Sequence, residues 1–314
     1  MGTGCDDAPQ RVRELNSVVT VAPARDTSLR GEVARDTMPG VATLVRRLVE
    51  ASHPGPVVGV TTASAAYAIA IGRGDGGVVA VVAAVLAGQL SVGWHNDWLD
   101  AGRDALAGRR DKPVARGVID RATVRHAAIA AAIVTIPASL ASGWRAGAVH
   151  IAAVAAAWGY NARVKSTAWS AAPYAVAFGL LPVFISLGAR GAPLGPWWAP
   201  AASALLGTGA HFMNALPDLE QDMAAGVSGL PHRLGRERSL ALAIALLLAA
   251  SVVLALGSRA PRALGAAGLG ISLVCVVVAR RAARDHESRV PFSLAIVVAL
   301  VDVVLLLLAG HTAA

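Results

Sequence analysis

Two segments of the chain place Asn and Asp side chains at the same helical spacing. Each segment begins with an Asn, has an Asp four positions later and has another Asp four positions after that. The two rows are Asn96, Asp100 and Asp104 in the first segment and Asn214, Asp218 and Asp222 in the second. Residues four apart lie on one face of a helix, so each row is expected to present its oxygen atoms in one direction. Such rows are suited to holding divalent metal ions.

Carboxylate oxygens are the ligands that Mg²⁺ prefers, and Mg²⁺ commonly shares its coordination shell with substrate phosphates. The sequence therefore predicts a Mg²⁺ site that binds a diphosphate substrate. The predicted ligands are Asp97, Asp100 and Asp104 on one wall and Asp218 and Asp222 on the other. Asn96 and Asn214 are expected to add neutral oxygen atoms. Two solvated, charge-rich loops are the alternative interpretation, and the matched spacing of the two rows argues against it.

The composition indicates which kind of protein positions these rows. The chain has 314 residues, 55% of them apolar and only 15% charged, with a mean hydropathy of +0.56, which is typical of a polytopic membrane protein. Nine apolar segments approach the length of about 20 residues that a bilayer requires. They fall near 56–71, 77–94, 124–142, 146–160, 168–188, 197–214, 239–257, 262–280 and 291–309. We predict an all-α bundle of about nine transmembrane helices.

The formal net charge is +8, and the basic residues are divided unequally between the two sides of the membrane. Most basic residues fall in alternate loops, which argues against a nucleic-acid partner and for the positive-inside rule. By that rule the N-terminus and both acidic rows face the cytoplasm, and a nine-span chain ends outside the cell. We expect residues 1–37 to form a disordered basic arm and residues 38–314 to form the membrane domain. That domain would begin with an interfacial helix over about Met38 to Ala51.

Longer stretches around the two rows carry a family resemblance. They are Asn96 to Asp104 with the following Arg110-Asp111-Lys112-Pro113-Val114-Ala115-Arg116-Gly117, Asp218 to Gly226, and Leu230-Pro231-His232-Arg233-Leu234-Gly235. Together they resemble the UbiA superfamily of intramembrane prenyltransferases, over about residues 45–310. The resemblance implies nine helices around a central cavity, Mg²⁺ held by both acidic rows, and an allylic isoprenyl diphosphate as the donor. It also implies a small lipophilic or aromatic acceptor, such as a quinone precursor, with membrane lipid as a further partner.

The resemblance adds basic and aromatic candidates to the site. The family places a Tyr and a nearby Lys at the end of the fourth span, where this chain has Tyr160, and either Arg163 or Lys165 could supply the cation. Lys112 and Arg116 match the family segment after the first row and would close over the diphosphate. Ordinary positive-inside anchoring is the alternative role for Arg163 and Lys165, and a solvated loop is the alternative for Lys112 and Arg116.

Further residues and functions remain open at the level of sequence. His95 and His211 each precede an acidic row. Each could position a ligand, act as a base or be a structural residue. The role of Asp302, an acid within the ninth predicted span, is not indicated. One rival function is a UbiA-type terpene cyclase, which ionises the same donor without an acceptor. The other is a divalent-cation transporter, which the scarcity of ionisable residues within the spans disfavours.

Overall fold

The computed structural model describes residues 40–109, 112–191, 194–224, 226–257, 261–282 and 290–311, so the predicted basic arm lies outside the described residues. The described part is all-helical. Its helices, in chain order, are α1 (Val41–Ala51), α2 (Pro54–Ala70), α3 (Asp75–Leu106), α4 (Arg121–Leu140), α5 (Trp144–Ala162), a 3-10 turn (Val164–Ser166), α6 (Ala172–Leu187), α7 (Trp198–Ala215), α8 (Leu219–Ala224), α9 (Leu230–Gly257), α10 (Arg262–Ala282) and α11 (Val290–His311).

Each of the nine predicted apolar segments falls on one of the helices α2 to α7 and α9 to α11. Within the described ranges, four of these helices, α3, α4, α9 and α10, are long and apolar enough to cross a membrane by length and composition. Helix α6 and the stretch Ile296–Leu308 of α11 are shorter apolar helices. The prediction of an all-α membrane protein is therefore confirmed, while the number of nine spans stays a prediction.

Helix α3 continues well past the apolar segment that marks it in the sequence. It has 32 residues, which at 1.5 Å per residue is about 48 Å, against about 30 Å for the hydrocarbon core of a bilayer. The predicted segment ended near residue 94, because hydropathy falls where the polar residues begin. The helix itself runs on to Leu106 and carries the whole first acidic row on one continuous element.

The second acidic row is divided between two helices, which differs from the single helical face expected from its spacing. Asn214 lies near the end of α7, Asp218 lies in the turn that follows, and Asp222 lies on α8. Helix α7 ends shortly before Pro217, because proline has no backbone N–H with which to continue the helical hydrogen bonds. The second row therefore bends around a corner instead of following one axis.

Small residues allow close approach of the elements around the site. Helix α3 packs against α2, α4 and α5, and α7 packs against α6 and α9. A Cβ atom at Gly207 of α7 would collide with the ring of Phe178 on α6. Helix α9 is interrupted at Gly235, whose φ of 77° and ψ of 171° are not helical. Its short first segment, which includes His232, therefore runs in a different direction from the rest of the helix.

Helix α1 is short and amphipathic, as the sequence predicts for an interfacial helix, although its first helical residue is Val41. Val41, Val45 and Val49 are exposed along one side. The Leu48 carbonyl accepts a hydrogen bond of 2.8 Å from Trp94 Nε1 of α3. Helix α1 is thus attached to α3 less than one turn before the first acidic row.

Candidate active site

Both acidic rows reach one polar cavity of about 360 Å³, called here the polar chamber. Its charged walls come from α3, the loop after α3, the 3-10 turn, the turn between α7 and α8, and α8, and residues of α2, α5, α6, α7 and the start of α9 complete it. The charged side chains that line it are Asp100, Asp104, Asp218, Asp222, Arg103, Arg109, Lys112 and Lys165. Four carboxylates and four cationic groups therefore share this small volume.

Most of the acids in and beside the polar chamber are paired with basic side chains. Among the described residues these pairs include Arg103 with Asp100 at 2.7 Å, Arg109 with Asp218 at 3.1 Å, His232 with Asp222 at 3.5 Å, Lys112 with Asp97 at 2.6 Å, and Lys165 with Asp100. These contacts bring the basic loops onto the acidic rows and offset the repulsion among the carboxylates.

Lys165 is the basic residue that the 3-10 turn delivers into the polar chamber. Its side chain is 11% exposed and forms an ion pair with Asp100. Its Nζ also lies 3.4 Å from the side-chain oxygen of Asn96. Burial lowers the pKa of the Lys165 ammonium, and the Asp100 carboxylate opposes that shift. Arg163, two residues earlier, is exposed at the end of α5 and lies outside the chamber. The structure thus distinguishes the two cations that the sequence left as alternatives.

Asp97 occupies a different place from the other acids of its row. Its side chain is 1% exposed, and its Oδ1 atom contacts Lys112 and, at 2.9 Å, His53. It lies behind the residues that line the polar chamber. Its second oxygen, Oδ2, is buried without a hydrogen-bond partner among the described residues. A buried carboxylate oxygen without a partner is costly, so this atom can accept a further ligand.

A second cavity of about 310 Å³ extends from the polar chamber into the bundle. This apolar chamber is formed mainly by α2, α3, α5 and α6, and its far end lies at Gly88, His150 and Leu181. Ten residues of α5 separate Tyr160, near its mouth, from His150, which corresponds to about 15 Å along the helix. The residues that line both chambers are His53, Pro56, Asn96, Tyr160, Tyr174 and Asn214. The two cavities are therefore neighbours that share one wall.

Aromatic rings surround the place where the chambers meet. Tyr160 and Tyr174 are edge to face with ring centroids 5.0 Å apart. The Tyr174 ring lies 4.7 Å from that of His211 and stacks at 6.2 Å with Phe178. Aromatic faces attract cations, so this junction is suited to a positively charged carbon as well as to an apolar chain.

The remaining predicted residues divide between the site and its surroundings. His211 lines the polar chamber, whereas His95 is buried and stacks on Trp158 with ring centroids 3.8 Å apart, a structural role. Arg116 lies 3.8 Å from Glu50 and outside both chambers. Asp302 is fully buried and is not among the residues that line either chamber. Its Oδ1 atom accepts a hydrogen bond from Ser251.

Arg103, His53, Tyr174 and His232 belong to the site but were not singled out in the sequence. His53 and Tyr174 line both chambers, and His232 lines the polar one. His232 lies in a segment quoted for the family resemblance, which is a signal that could have found it. The His53-Pro54 pair at the start of an apolar span is a weaker signal. Tyr174 carries none, because one Tyr in an apolar helix is usually a packing residue.

The donor atoms of the polar chamber suit a hard cation such as Mg²⁺, since they are mainly carboxylate and amide oxygens. The orphaned Oδ2 atom of Asp97 is a further oxygen of this kind. Among the described residues, however, no three Asp, Glu, His or Cys side chains converge into a ready-made metal site. Most of these acids have basic partners, so a metal ion bound among them would compete with ammonium and guanidinium groups for the carboxylates.

Comparison with known proteins agrees with this architecture. A family model, the UbiA prenyltransferase family, matches residues 58–309. The fold is similar to a UbiA homolog from Archaeoglobus fulgidus bound to GPP and Mg²⁺, with a TM-score of 0.64, 16% identity, and coverage of 83% of this chain and 98% of that one. It is also similar to the apo structure of a UbiA homolog from Aeropyrum pernix K1, with a TM-score of 0.63, 17% identity, and coverage of 77% and 94%.

A third similar structure concerns digeranylgeranylglyceryl phosphate synthase in membranes, with a TM-score of 0.63, 14% identity, and coverage of 85% of this chain and 98% of that one. At these identities the structural likeness establishes the fold. No curated protein matches the sequence.

Proposed function

This chain belongs to the UbiA prenyltransferase family, and on that premise we propose that it transfers an isoprenyl group from an allylic diphosphate to a small lipophilic acceptor, an aromatic ring or quinone precursor. The observation that supports this proposal is the wall shared by the polar and apolar chambers. One substrate with a charged head and a hydrocarbon tail would fill both cavities at once. The UbiA homolog from Archaeoglobus fulgidus, which has this fold, binds GPP and Mg²⁺.

We propose Asp100, Asp104, Asp218 and Asp222, with Asp97, as the residues that hold Mg²⁺. When bound, the metal neutralises charge that develops on the leaving diphosphate. Asn96 and Asn214, which line both chambers, are placed to contribute neutral oxygen atoms next to the diphosphate.

The basic residues of the polar chamber would bind the diphosphate directly. Lys165, Arg103 and Arg109 lie on three different elements of the wall, so their charges would converge on a group in its centre. Fixed cations around a partly buried anion stabilise the charge that builds up as the bond to the allylic carbon breaks. Arg163 and Arg116 lie outside the chamber. We assign Arg163 to the membrane surface, and Arg116 to its contact with Glu50 of α1.

The junction and the apolar chamber would protect the allylic cation. The Tyr160 and Tyr174 rings lie beside the mouth of the apolar chamber, where their faces stabilise positive charge. The tail would fill the space toward Leu181 and exclude water, which prevents hydrolysis of the cation. The acceptor carbon then forms its bond to the allylic carbon and loses a proton, and diphosphate is the leaving group.

We place residues 38–314 in the cell membrane as one prenyltransferase domain, with the N-terminus and the polar chamber on the cytoplasmic side. The distribution of basic loops supports this orientation. Surrounding membrane lipid is the remaining partner, and it also supplies the lipophilic acceptor.

A product screen tests the proposal. The purified protein in lipid nanodiscs receives Mg²⁺ and prenyl diphosphates of increasing length, with and without aromatic, quinone-precursor and glycerol-phosphate acceptors. We expect a prenylated acceptor by mass spectrometry, and none with Asp100→Asn. A cyclic hydrocarbon formed without any acceptor would establish the cyclase alternative instead. Magnesium flux into proteoliposomes that survives Asp218→Asn would favour transport.

A further inference from the structure

His53 stands between α1 and α2 in an unusual backbone conformation. Its φ of 59° and ψ of 67° lie in the left-handed region, and among the described residues it is the only non-glycine residue with a positive φ. Such a conformation is strained for a residue with a Cβ atom and persists only where the surroundings impose it. Pro54 follows immediately and opens α2. The strain at His53 therefore requires a structural explanation.

The contacts of the α1–α2 junction with α3 supply that explanation. A Cβ atom at Gly93 would collide with the carbonyl group of Ser52, so the junction lies directly on the backbone of α3. Ser52 is 2% exposed and its hydroxyl donates to the Val49 carbonyl at 2.8 Å. Trp94, next to Gly93, holds α1 by its bond to Leu48. The junction is thus fixed one turn before Asp97.

The imidazole of His53 forms a close triangle with two charged groups. Lys112 Nζ lies 2.6 Å from Asp97 Oδ1 and 2.8 Å from His53 Nε2, and Nε2 lies 2.9 Å from Oδ1. An ammonium group can only donate hydrogen bonds. The contact with Nε2 is therefore a hydrogen bond only if Nε2 is the acceptor and Nδ1 carries the ring proton. Asp97 and His53 then share one cation, the Lys112 ammonium.

We infer that His53 is a positioning residue for Lys112, and through it for Asp97. Lys112 neutralises the Asp97 carboxylate, which the proposed function, on which this inference rests, assigns to Mg²⁺. A metal ion at the orphaned Oδ2 atom of Asp97 would compete with Lys112 for that one negative charge. His53 Nε2 is a second acceptor that keeps the ammonium at the edge of the polar chamber, where a diphosphate would bind. The strained backbone is what directs the ring to this position.

The conformation of His53 allows strain and chemistry to be separated by substitution. Glycine adopts positive φ without penalty, so His53→Gly removes the imidazole and also relieves the backbone. Asparagine tolerates the left-handed region better than most residues, and its amide oxygen can accept from Lys112. His126 is exposed on α4, so His126→Asn is the matched control.

Two readouts are measured in detergent, the Tm as a function of Mg²⁺ alone and the steady-state KM and kcat for the prenyl diphosphate. We expect His53→Gly to keep or raise the Tm without metal. Without its second acceptor, Lys112 holds Asp97 more firmly, so the Mg²⁺ concentration at half-maximal stabilisation rises about tenfold. The donor KM rises by a similar factor while kcat changes less. His53→Asn restores part of both effects, and His126→Asn shows neither.

Three results overturn the inference: an unchanged Mg²⁺ midpoint in His53→Gly, a fall in Tm that asparagine fails to rescue, or a wild-type Tm that Mg²⁺ does not shift. The thermal measurement needs no turnover. The proposed function could fail separately. If Mg²⁺ raises the Tm of the wild type but not of Asp97→Asn, and no prenyl diphosphate reacts, the proposed function is contradicted. The raised Mg²⁺ midpoint of His53→Gly would still support the role of His53.

Discussion

Arg109 and Asp218 form an ion pair with Nη2 and Oδ2 3.1 Å apart, which joins the loop after α3 to the turn after α7. This contact links the two acidic rows across the polar chamber, although more than one hundred residues separate them in the chain. Arg109 is 17% exposed and Asp218 is 39% exposed in their side chains. Asp218 is the more exposed partner of this pair, so a ligand arriving from outside would meet its carboxylate first.

Asp218→Asn should reduce prenyl transfer by at least about 100-fold, since it removes charge where the metal and diphosphate would bind. The carboxylate is partly exposed, so we expect a change in unfolding free energy of only about 0.5 kcal/mol. Turnover by mass spectrometry and thermal unfolding in detergent provide the two measurements. Asp75→Asn, at the exposed opposite end of α3, is the matched control. Equal activity of the two variants would contradict the assignment of the second row.

Lys165→Met should raise the KM for the donor by roughly 10- to 100-fold, because hydrogen bonds to charged groups are worth about 1.5–3 kcal/mol. Its partner Asp100 keeps Arg103 at 2.7 Å, so the carboxylate is not left unpaired and the fold should survive. Arg163→Met, two residues away and exposed, should leave KM unchanged. Steady-state kinetics that show the larger effect for Arg163 would reverse the assignment of these two cations.

Gly88→Ala should shift donor preference toward shorter chains. A Cβ atom there would lie 2.9 Å from Val154 Cγ2 and 3.3 Å from His150 Cε1, so the added methyl narrows the far end of the apolar chamber. Changes of one methyl or methylene alter discrimination by about 10- to 200-fold. We expect kcat/KM for the longest accepted donor to fall by about tenfold relative to a shorter one. Leu181→Ala, which widens the same end, should act in the opposite direction.

Gly59→Ala provides the control for both of these chamber variants. Nothing lies within 4 Å of a Cβ atom at Gly59, and this residue is exposed on α2. Its chain-length profile should match that of the wild type. The same shift in all three variants would mean that chain length is set elsewhere.

Asp302→Asn should be tolerated, while Asp302→Ala should lower stability by about 1–3 kcal/mol. Asp302 is fully buried, and its partner Ser251 lies 3.1 Å from Ser272, Oγ to Oγ. A charge at this depth in the membrane is expensive, so we expect a neutral carboxyl group that asparagine can replace. Thermal unfolding in detergent compares the variants. Equal destabilisation by asparagine and alanine would indicate that the acid itself is required.

Asp120→Ala should destabilise α4 by about 1 kcal/mol at neutral pH. The Asp120 carboxylate caps this helix, accepting from the Thr123 backbone N–H at 2.8 Å and from the Thr123 hydroxyl. These bonds lower the pKa of Asp120. Since the folded pKa lies below the unfolded one, the stabilisation is present above the ordinary Asp range and is lost as pH falls through the folded value. Unfolding curves of the two proteins should therefore converge at acidic pH, and a gap that is constant with pH would contradict this.

The positions of the helices follow from the sequence more closely than their ends do. Hydropathy identifies only the apolar part of α3. The last turns of this helix are polar, so hydropathy does not detect them, and the helix continues to Leu106. The acidic rows could be recognised because their members are close in the sequence, where the interval of four residues is seen directly. The contact of His53 with Asp97 was not visible, because it depends on how the α1–α2 junction seats on Gly93 across 44 positions of sequence. Tyr174 was missed because a single Tyr in an apolar helix is usually a packing residue.

The six residues shared by the two chambers would also separate the products of the proposed reaction. Diphosphate would be released among charged side chains, and the prenylated molecule would be released among hydrocarbon side chains. The first product partitions into water and the second into lipid. Each would be diluted in a phase that the other does not enter, so recombination is suppressed by partition, and the direction of the reaction would be set by the membrane as much as by any single side chain.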